Sequence, residues 1–208
     1  MELDKIRMSN IENNINISIT FPDGNKMKFS KGINGLDIAK SISKSLEKKA
    51  IAIKVNDKYK DLTDKIGSDA NIEIITTDCN IGLDIMRHTI AAQVLAKAVK
   101  NLYPEAKLAI GPTIENGFYY DVLFQKPIST EDLPKIENEM RKIISTGNKI
   151  KKILASKEEA IELFFKRKEN YKVNIIRESE QEEKFQIYCQ DNTYFIDLVW
   201  PVAIIISF

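Results

Sequence analysis

The chain has 208 residues, and 43% of them are hydrophobic, which is enough to build buried cores in two compact domains. The 31 Lys and Arg residues balance the 30 Asp and Glu residues to a net charge of +1, which excludes the strongly basic class of nucleic-acid-binding protein, so any RNA contact has to be local. The two cysteines, Cys79 and Cys189, form no pairing motif, which argues against a disulfide framework or a structural zinc site and predicts a cytoplasmic location.

Neither end of the chain predicts insertion into a membrane. Residues 1–14 are polar and charged without an apolar stretch, so we interpret them as an N-terminal extension rather than a secretory signal. The apolar run from Val199 to Phe208 is shorter than the roughly 20 residues that a bilayer-spanning helix needs. We therefore expect no membrane partner.

Residues 15–77 predict a small ubiquitin-like β-grasp unit. Apolar residues alternate from Ile15 to Phe21, the segment from Pro22 to Asn25 has the residues of a tight turn, and the alternation then resumes in a second strand. Apolar residues at helical spacing follow from Leu36 to Leu46. Further strands are predicted at Ala50 to Val55, Lys58 to Leu62 and Asn71 to Ile75. The order strand, strand, helix, strands predicts a helix packed across one face of a sheet.

Residues 81–208 predict a second domain, of the α+β class. A helical pattern runs from Ile81 to Leu102 and stops before Pro104. Two more helices are predicted, and Ser156 with Glu159 gives the second of them the spacing of a capping box. The helices are expected at Glu131 to Ile144 and Ser156 to Lys168. The strands are expected at Ala109 to Pro112, Gly117 to Val122, Tyr171 to Ile176, Phe185 to Gln190 and Tyr194 to Leu198.

Two stretches resemble the threonyl-tRNA synthetase family. The first includes Phe21-Pro22-Asp23-Gly24 and Ala50-Ile51-Ala52-Ile53-Lys54-Val55-Asn56, and it looks like the TGS-type β-grasp domain that opens these enzymes. The second is Met86-Arg87-His88 followed by the run from Ala109-Ile110-Gly111-Pro112 to Gly117-Phe118-Tyr119-Tyr120-Asp121. It resembles the editing domain of the family, of the second-additional-domain type that alanyl-tRNA synthetases share. The resemblance extends from Ile15 to Leu198.

The resemblance implies a function in protein biosynthesis. The family's editing domain hydrolyses seryl-tRNA(Thr) made in error, so the acceptor end of this tRNA is the implied partner. After Leu198 the sequence no longer resembles that of the family, whose catalytic core binds ATP, magnesium and zinc. We therefore expect a fragment, truncated at the last strands of the editing domain, that needs no cofactor and cannot form threonyl-adenylate alone.

The family's editing site contains two histidines one helical turn apart, a lysine, an aspartate, a cysteine and a later histidine. The residues of this chain that match are His88, Lys172 and Asp197, which the resemblance implies as catalytic residues, with Tyr120 as a substrate-binding neighbour. His88 is the only histidine in the chain. The second histidine's place falls on Ala92 when counted forward from His88. Counted backward from Ala98 it falls on Gln93, which implies a one-residue insertion and makes Gln93 a substrate-binding candidate.

Simpler interpretations of the same residues stay open. A local contact with Asp84, one helical turn earlier, would account for His88. Lys172 would be an ordinary exposed strand lysine, whereas Asp197 in an apolar strand needs a partner. The cysteine and last histidine of the family fall on Val199 and near Ala203, neither of which handles protons.

Three functions compete at this stage. The first is a threonyl-tRNA synthetase fragment with a degenerate editing site and weak or no deacylase activity. The second is a non-catalytic module that docks on tRNA or on a separate synthetase chain, suggested by local lysine clusters such as Lys149, Lys151 and Lys152. The third is the product of a disrupted gene, because a shifted reading frame would produce an unrelated apolar sequence like the one that follows Leu198.

Overall fold

A computed structural model describes residues 15–109 and 111–197 of the chain. The described residues divide into two compact units, with the boundary between Leu83 and Asp84. The sequence-based bounds, 15–77 and 81–208, stay predictions. The predicted extension at residues 1–14 and the apolar run from Val199 to Phe208 lie outside the described residues.

The first unit is a five-stranded sheet with helices in the connection between its second and third strands. Its elements are β1 (Asn16–Thr20), β2 (Lys26–Ser30), α1 (Gly35–Ile42), α2 (Lys44–Lys49), β3 (Ala50–Val55), β4 (Lys58–Asp61) and β5 (Ala70–Thr76). The strand order is β2-β1-β5-β3-β4, with β1 and β5 parallel and the other pairs antiparallel. This is the β-grasp arrangement that the sequence predicts.

Local sequence explains the bounds of these elements. The side chain of Asn34 accepts a hydrogen bond from the backbone N–H of Asp37 and caps α1. The helix then buries Ile38 and Ala39. Between β3 and β4, Asn56 and Asp57 both have positive φ, the geometry of a two-residue hairpin loop whose twist matches that of the strands.

The second unit combines helices with short antiparallel sheets. Its helices are α3 (Asn80–Thr89, which begins in the first unit), a π-helical turn (Ile90–Leu95), α4 (Ala96–Leu102), α5 (Leu133–Ser145), α6 (Lys157–Lys166) and α7 (Asn170–Glu178). Strands β10 (Lys151–Ala155), β11 (Phe185–Gln190) and β12 (Thr193–Asp197) form an antiparallel sheet in that order, so β12 is an edge strand. The two remaining ladders pair β6 (Lys107–Leu108) with β9 (Val122–Leu123), and β7 (Thr113–Ile114) with β8 (Gly117–Phe118).

Two hydrophobic clusters hold the second unit together. The first joins the π-helical turn, α4 and α5 to β12, and its buried members are Val94, Ala96, Ala98, Val99, Ala106, Leu108, Ile136, Ile143 and Phe195. The second packs α6 and α7 on the sheet through Ala155, Ala160, Phe164, Val173, Ile176, Phe185 and Ile187. Tyr194 and Ile196 pack against the second cluster whereas Phe195 belongs to the first, as expected for a strand covered on both faces.

The predicted strand at Tyr171 to Ile176 is wrong, because these residues belong to the helix α7. The buried residues Lys172, Val173 and Ile176 follow helical spacing, a pattern that the β-branched residues of the segment obscure. The predicted strand at Ala109 to Pro112 is wrong for the three residues of it that the structure describes, none of which belongs to a strand; position 110 lies outside the described residues. The predicted strand at Gly117 to Val122 is wrong in extent, because only Gly117, Phe118 and Val122 lie in two-residue strands.

Candidate functional site

His88 lies near the end of α3 and is buried. The helix before it carries an ion pair between Arg87 and Asp84, whose Nη1 and Oδ1 atoms are 3.1 Å apart. Thr89, the next residue, donates its hydroxyl hydrogen bond to the carbonyl of Ile85 at 2.9 Å. The imidazole is therefore held inside the second unit by a regular helix.

The helix changes its hydrogen-bonding pattern immediately after His88. Residues Ile90–Leu95 form a π-helical turn, and α4 then continues as a regular helix. An extra residue in an α-helix would rotate everything after it by about 100°. A π-helical turn absorbs such a residue locally, and turns of this kind occur frequently at functional sites. The turn lies where the sequence implies a one-residue insertion.

Gln93 is the polar residue that this turn buries. Its side chain is 2% exposed, and its Oε1 atom accepts no hydrogen bond from the described residues. A buried amide oxygen without a donor costs about 1–3 kcal/mol, so the site is suited to a ligand group or a water that donates a hydrogen bond. A carboxamide can orient such a group, although it cannot take up a proton near neutral pH.

Lys172 lies in the first turn of α7 and is also buried, which rules out the exposed strand lysine considered above. Its Nζ donates to the carboxylate of Glu169 and, at 3.4 Å, to the carbonyl of Tyr194 in β12. The same atom lies 5.1 Å from the ring centre of Phe164 and 5.8 Å from that of Phe195. The ammonium group is thus held against the backbone of β12.

The surroundings of Lys172 disfavour its charged form. Burial lowers the pKa of Lys172 below its usual value of 10.5, while the carboxylate of Glu169 acts in the opposite direction and only partly offsets it. The charges of Arg167 and Lys100 lower the pKa further. A cation held in this way interacts favourably with an additional anion.

Tyr120 and Asp197 lie in different segments of the second unit. Tyr120 packs against that cluster, and its ring covers Gly111 so closely that a Cβ atom there would lie 2.2 Å from Cδ2 of the ring. The neighbouring Tyr119 is exposed. Asp197 is the last residue of β12, where its backbone pairs with Gln186.

Strand β12 is the element that brings the candidate residues toward one another. It contains Asp197, it packs against the π-helical turn that contains Gln93, and its Tyr194 carbonyl accepts a hydrogen bond from Lys172. The cleft beside Lys172 is lined by Lys100, Pro104, Leu108, Arg167, Glu169, Thr193, Tyr194 and Phe195 as well. His88 is not among these lining residues, so Lys172 and the imidazole do not share this cleft.

Sequence reasoning missed two polar contacts in this unit. Lys97 is buried and pairs with Asp191 in the β11–β12 turn, and Asp191 also accepts hydrogen bonds from Asn148. The bond from Lys97 lowers the pKa of the Asp191 carboxyl. Glu169 was the second omission. A helical reading of Tyr171 to Ile176 would have revealed it, because Glu169 and Lys172 then stand three residues apart on one helix face.

Comparisons with known proteins agree with this architecture. A family model described as TGS domain matches residues 17–76, the β-grasp part of the first unit. The threonine–tRNA ligases of Francisella tularensis subsp. novicida and of Acetivibrio thermocellus are each 45% identical to this chain over 182 residues. The chain is homologous to threonine–tRNA ligases. The match covers 88% of this chain but only 28% of each ligase, so the chain spans less than a third of these relatives.

Two further observations concern the residues that the structure describes. None of the helices among them combines the length and the apolar character needed to cross a bilayer. No group of three or more His, Cys, Asp or Glu side chains within residues 15–109 and 111–197 is arranged to hold a metal ion.

Proposed function

We propose that this chain is the N-terminal part of a cytoplasmic threonine–tRNA ligase, in which the TGS-type β-grasp unit precedes an editing domain of the second-additional-domain type. Its proposed partner is the acceptor end of tRNA(Thr). The proposal is supported by the 45% identity to threonine–tRNA ligases over 88% of the chain and by the α+β architecture of the second unit.

The reaction proposed for the second unit is hydrolysis of the ester that joins serine to tRNA(Thr). A pocket for threonine excludes serine poorly, because one methyl group is worth only about 1–3 kcal/mol of discrimination. Hydrolysis needs a water positioned against the ester carbonyl carbon, a base that accepts its proton, and donors for the developing oxyanion. In our proposal His88, Lys172 and Asp197 supply the catalytic groups, and Tyr120 and Gln93 bind the substrate.

Gln93 is the main reason to propose that this site is degenerate. By the resemblance, its position corresponds to the second histidine of the family, and it is a buried carboxamide on a π-helical turn. His88 is the only imidazole in the chain, and the ammonium of Lys172 is already engaged by Glu169. With one proton-accepting ring instead of two, we expect hydrolysis that is weak or absent.

The test is incubation of seryl-tRNA(Thr) with the pure chain, with spontaneous hydrolysis measured in parallel. The proposal predicts a rate close to the spontaneous one, and at most a small excess that disappears in His88→Ala. A rate near that of a complete threonine–tRNA ligase, lost in His88→Ala, would refute the degenerate site. Threonyl-tRNA(Thr), the correctly charged tRNA, serves as the control substrate.

A second candidate is a non-catalytic module that docks on tRNA or on a separate synthetase chain. The ion pair between Lys172 and Glu169 favours it, because an engaged ammonium is suited to a structural role. Titration of the chain with tRNA(Thr) at increasing salt separates the two. Binding that weakens steeply with salt, without any hydrolysis, supports docking, and absence of binding at low salt excludes it.

A further inference from the structure

A cleft of about 220 Å³ lies between the beginning of α7 and strand β12, the last strand of the sheet among the described residues. Its polar lining consists of three cationic side chains, one carboxylate, one hydroxyl and one tyrosine, namely Lys100, Arg167, Lys172, Glu169, Thr193 and Tyr194. Three positive charges therefore face one negative charge across a small volume. Such an excess of like charge in a concave site attracts anions.

The single carboxylate of the cleft is shared between two of the cations. Glu169 accepts a hydrogen bond from Nε of Arg167 at 3.1 Å and another from Nζ of Lys172. The third cation, Lys100, donates to the carbonyls of Pro104 and Ala106, which carry no net charge. The ion pair with Glu169 thus leaves most of the positive charge of the cleft uncompensated.

Arg167 presents an unused hydrogen-bonding edge. Its guanidinium lies 4.8 Å from the ring centre of Tyr194, and its Nε atom is directed to Glu169. Its two terminal nitrogens donate no hydrogen bond to the described residues. A planar guanidinium with a free pair of donors matches the oxygens of a phosphate in a bidentate arrangement.

We propose that this cleft binds a phosphate group of an RNA strand, with Arg167 as the bidentate donor and Lys100 and Lys172 as flanking cations. Lys172 is the deepest of the three cations, and burial depresses its pKa, so a bound phosphate stabilises its charged form.

The position of the cleft along β12 relates it to the proposed function, on which the choice of RNA rests. Thr193 and Phe195 line the cleft, and Asp197 follows in the same strand. A strand advances about 3.3 Å per residue, so Asp197 lies about 7 Å beyond Phe195. A phosphodiester held in the cleft would therefore place the neighbouring nucleotide beside the end of the strand that carries Asp197.

The experiment compares two variants of the full 208-residue chain, Arg167→Gln and Lys168→Gln. Lys168 is the matched control, because it is an exposed cation next in sequence that does not line the cleft. Calorimetric titration with inorganic pyrophosphate should show at least a fivefold loss of affinity in Arg167→Gln and less than a twofold change in Lys168→Gln. For tRNA(Thr), the slope of log affinity against log salt should fall by about 0.7–0.9 in Arg167→Gln only.

A measurement on the unmodified chain guards against a variant that fails to fold. Pyrophosphate should slow reductive methylation of Lys100, the half-buried lysine of the cleft, at least threefold, as measured by mass spectrometry, and leave methylation of Lys168 unchanged. Equal pyrophosphate affinity in the two variants, or no protection of Lys100, would overturn the proposal. So would a hexaglutamate peptide that binds as tightly as pyrophosphate with the same dependence on Arg167.

The outcome is independent of catalysis, because binding is measured without turnover. If the chain binds tRNA(Thr) through Arg167 but hydrolyses seryl-tRNA(Thr) as fast as a complete threonine–tRNA ligase, the phosphate site stands and the degenerate editing site fails. If hydrolysis stays close to the spontaneous rate and neither the salt slope nor the affinity for tRNA(Thr) changes in Arg167→Gln, the phosphate site fails and the degenerate editing site stands.

Discussion

Deletion of Ala92 tests whether the π-helical turn really absorbs one extra residue. Ala92 is a half-buried residue inside the turn, and α4 follows four residues later. If the turn stores the extra residue, its removal lets α3 and α4 join as one regular α-helix without rotating α4. We then expect the stability of the second unit to change by no more than about 1 kcal/mol, the net value of roughly one backbone hydrogen bond.

If the turn does not store an extra residue, deletion of Ala92 should cause a much larger loss of stability, and the structure gives the size of that loss. Without a compensating turn, removal of one residue rotates α4 by about 100° and takes Ala96, Ala98 and Val99 out of the first hydrophobic cluster. Burial of Val99 alone is worth about 1.5–3 kcal/mol, and each alanine methyl adds about 0.8 kcal/mol. A rotated α4 would thus cost about 3 kcal/mol or more.

Native-state hydrogen exchange of the backbone amides in residues 96–102 is the appropriate assay, because it reports the stability of α4 separately from the first unit. Deletion of Arg141 from the regular helix α5 is the control. No π-helical turn is available there to absorb the change, so Ile143 should leave the cluster at a cost of about 2 kcal/mol. A loss above 3 kcal/mol in the Ala92 deletion would refute the role assigned to the turn.

Three further predictions concern the packing and charges of the second unit. The pKa of Lys172 in the folded chain lies below the value of 10.5 expected in the unfolded chain, so between these two pKa values the unfolded chain binds more protons. The free energy of unfolding, measured relative to Lys172→Met, should therefore rise with pH through that window. A difference independent of pH, in urea titrations between neutral pH and pH 10.5, would contradict this. Asp191→Asn should destabilise the unit by about 1–2 kcal/mol, which is less than for a fully buried pair because half of the Asp191 side chain is exposed. In a double-mutant cycle, adding Lys97→Met to this variant should recover part of the loss. Gly111→Ala should cost about 1–3 kcal/mol by forcing the ring of Tyr120 away, and chemical denaturation of Gly117→Ala, which has open space at its Cβ position, is the matched comparison.

Elements with a local chemical signal could be predicted from the sequence. The capping box of Ser156 and Glu159 marks the beginning of α6, and both of its hydrogen bonds are present. The strand Phe185–Gln190 was predicted with the observed bounds. These signals depend on neighbouring residues only, so no tertiary information is needed to read them.

Features that depend on long-range packing could not be predicted in the same way. The segment from Tyr171 to Ile176 is rich in β-branched and aromatic residues, yet it is helical because one face packs on the sheet. The cationic cleft was missed for the same reason, since Arg167 and Tyr194 are distant in sequence and meet only in the folded unit. The two ways of counting from the family's motif after His88 predict an insertion, but they do not predict how the helix would accommodate it.

The most direct test of the account is single-turnover hydrolysis of seryl-tRNA(Thr) by the chain and by its Gln93→His variant, with Gln93→Asn as the control. We propose that the carboxamide of Gln93 replaces an imidazole that would relay a proton, and general acid–base catalysis is worth about 10²–10⁴ in rate. We therefore expect Gln93→His to hydrolyse the ester at least tenfold faster than the parent chain, whereas Gln93→Asn should not. A parent chain that is already as fast as Gln93→His would contradict it.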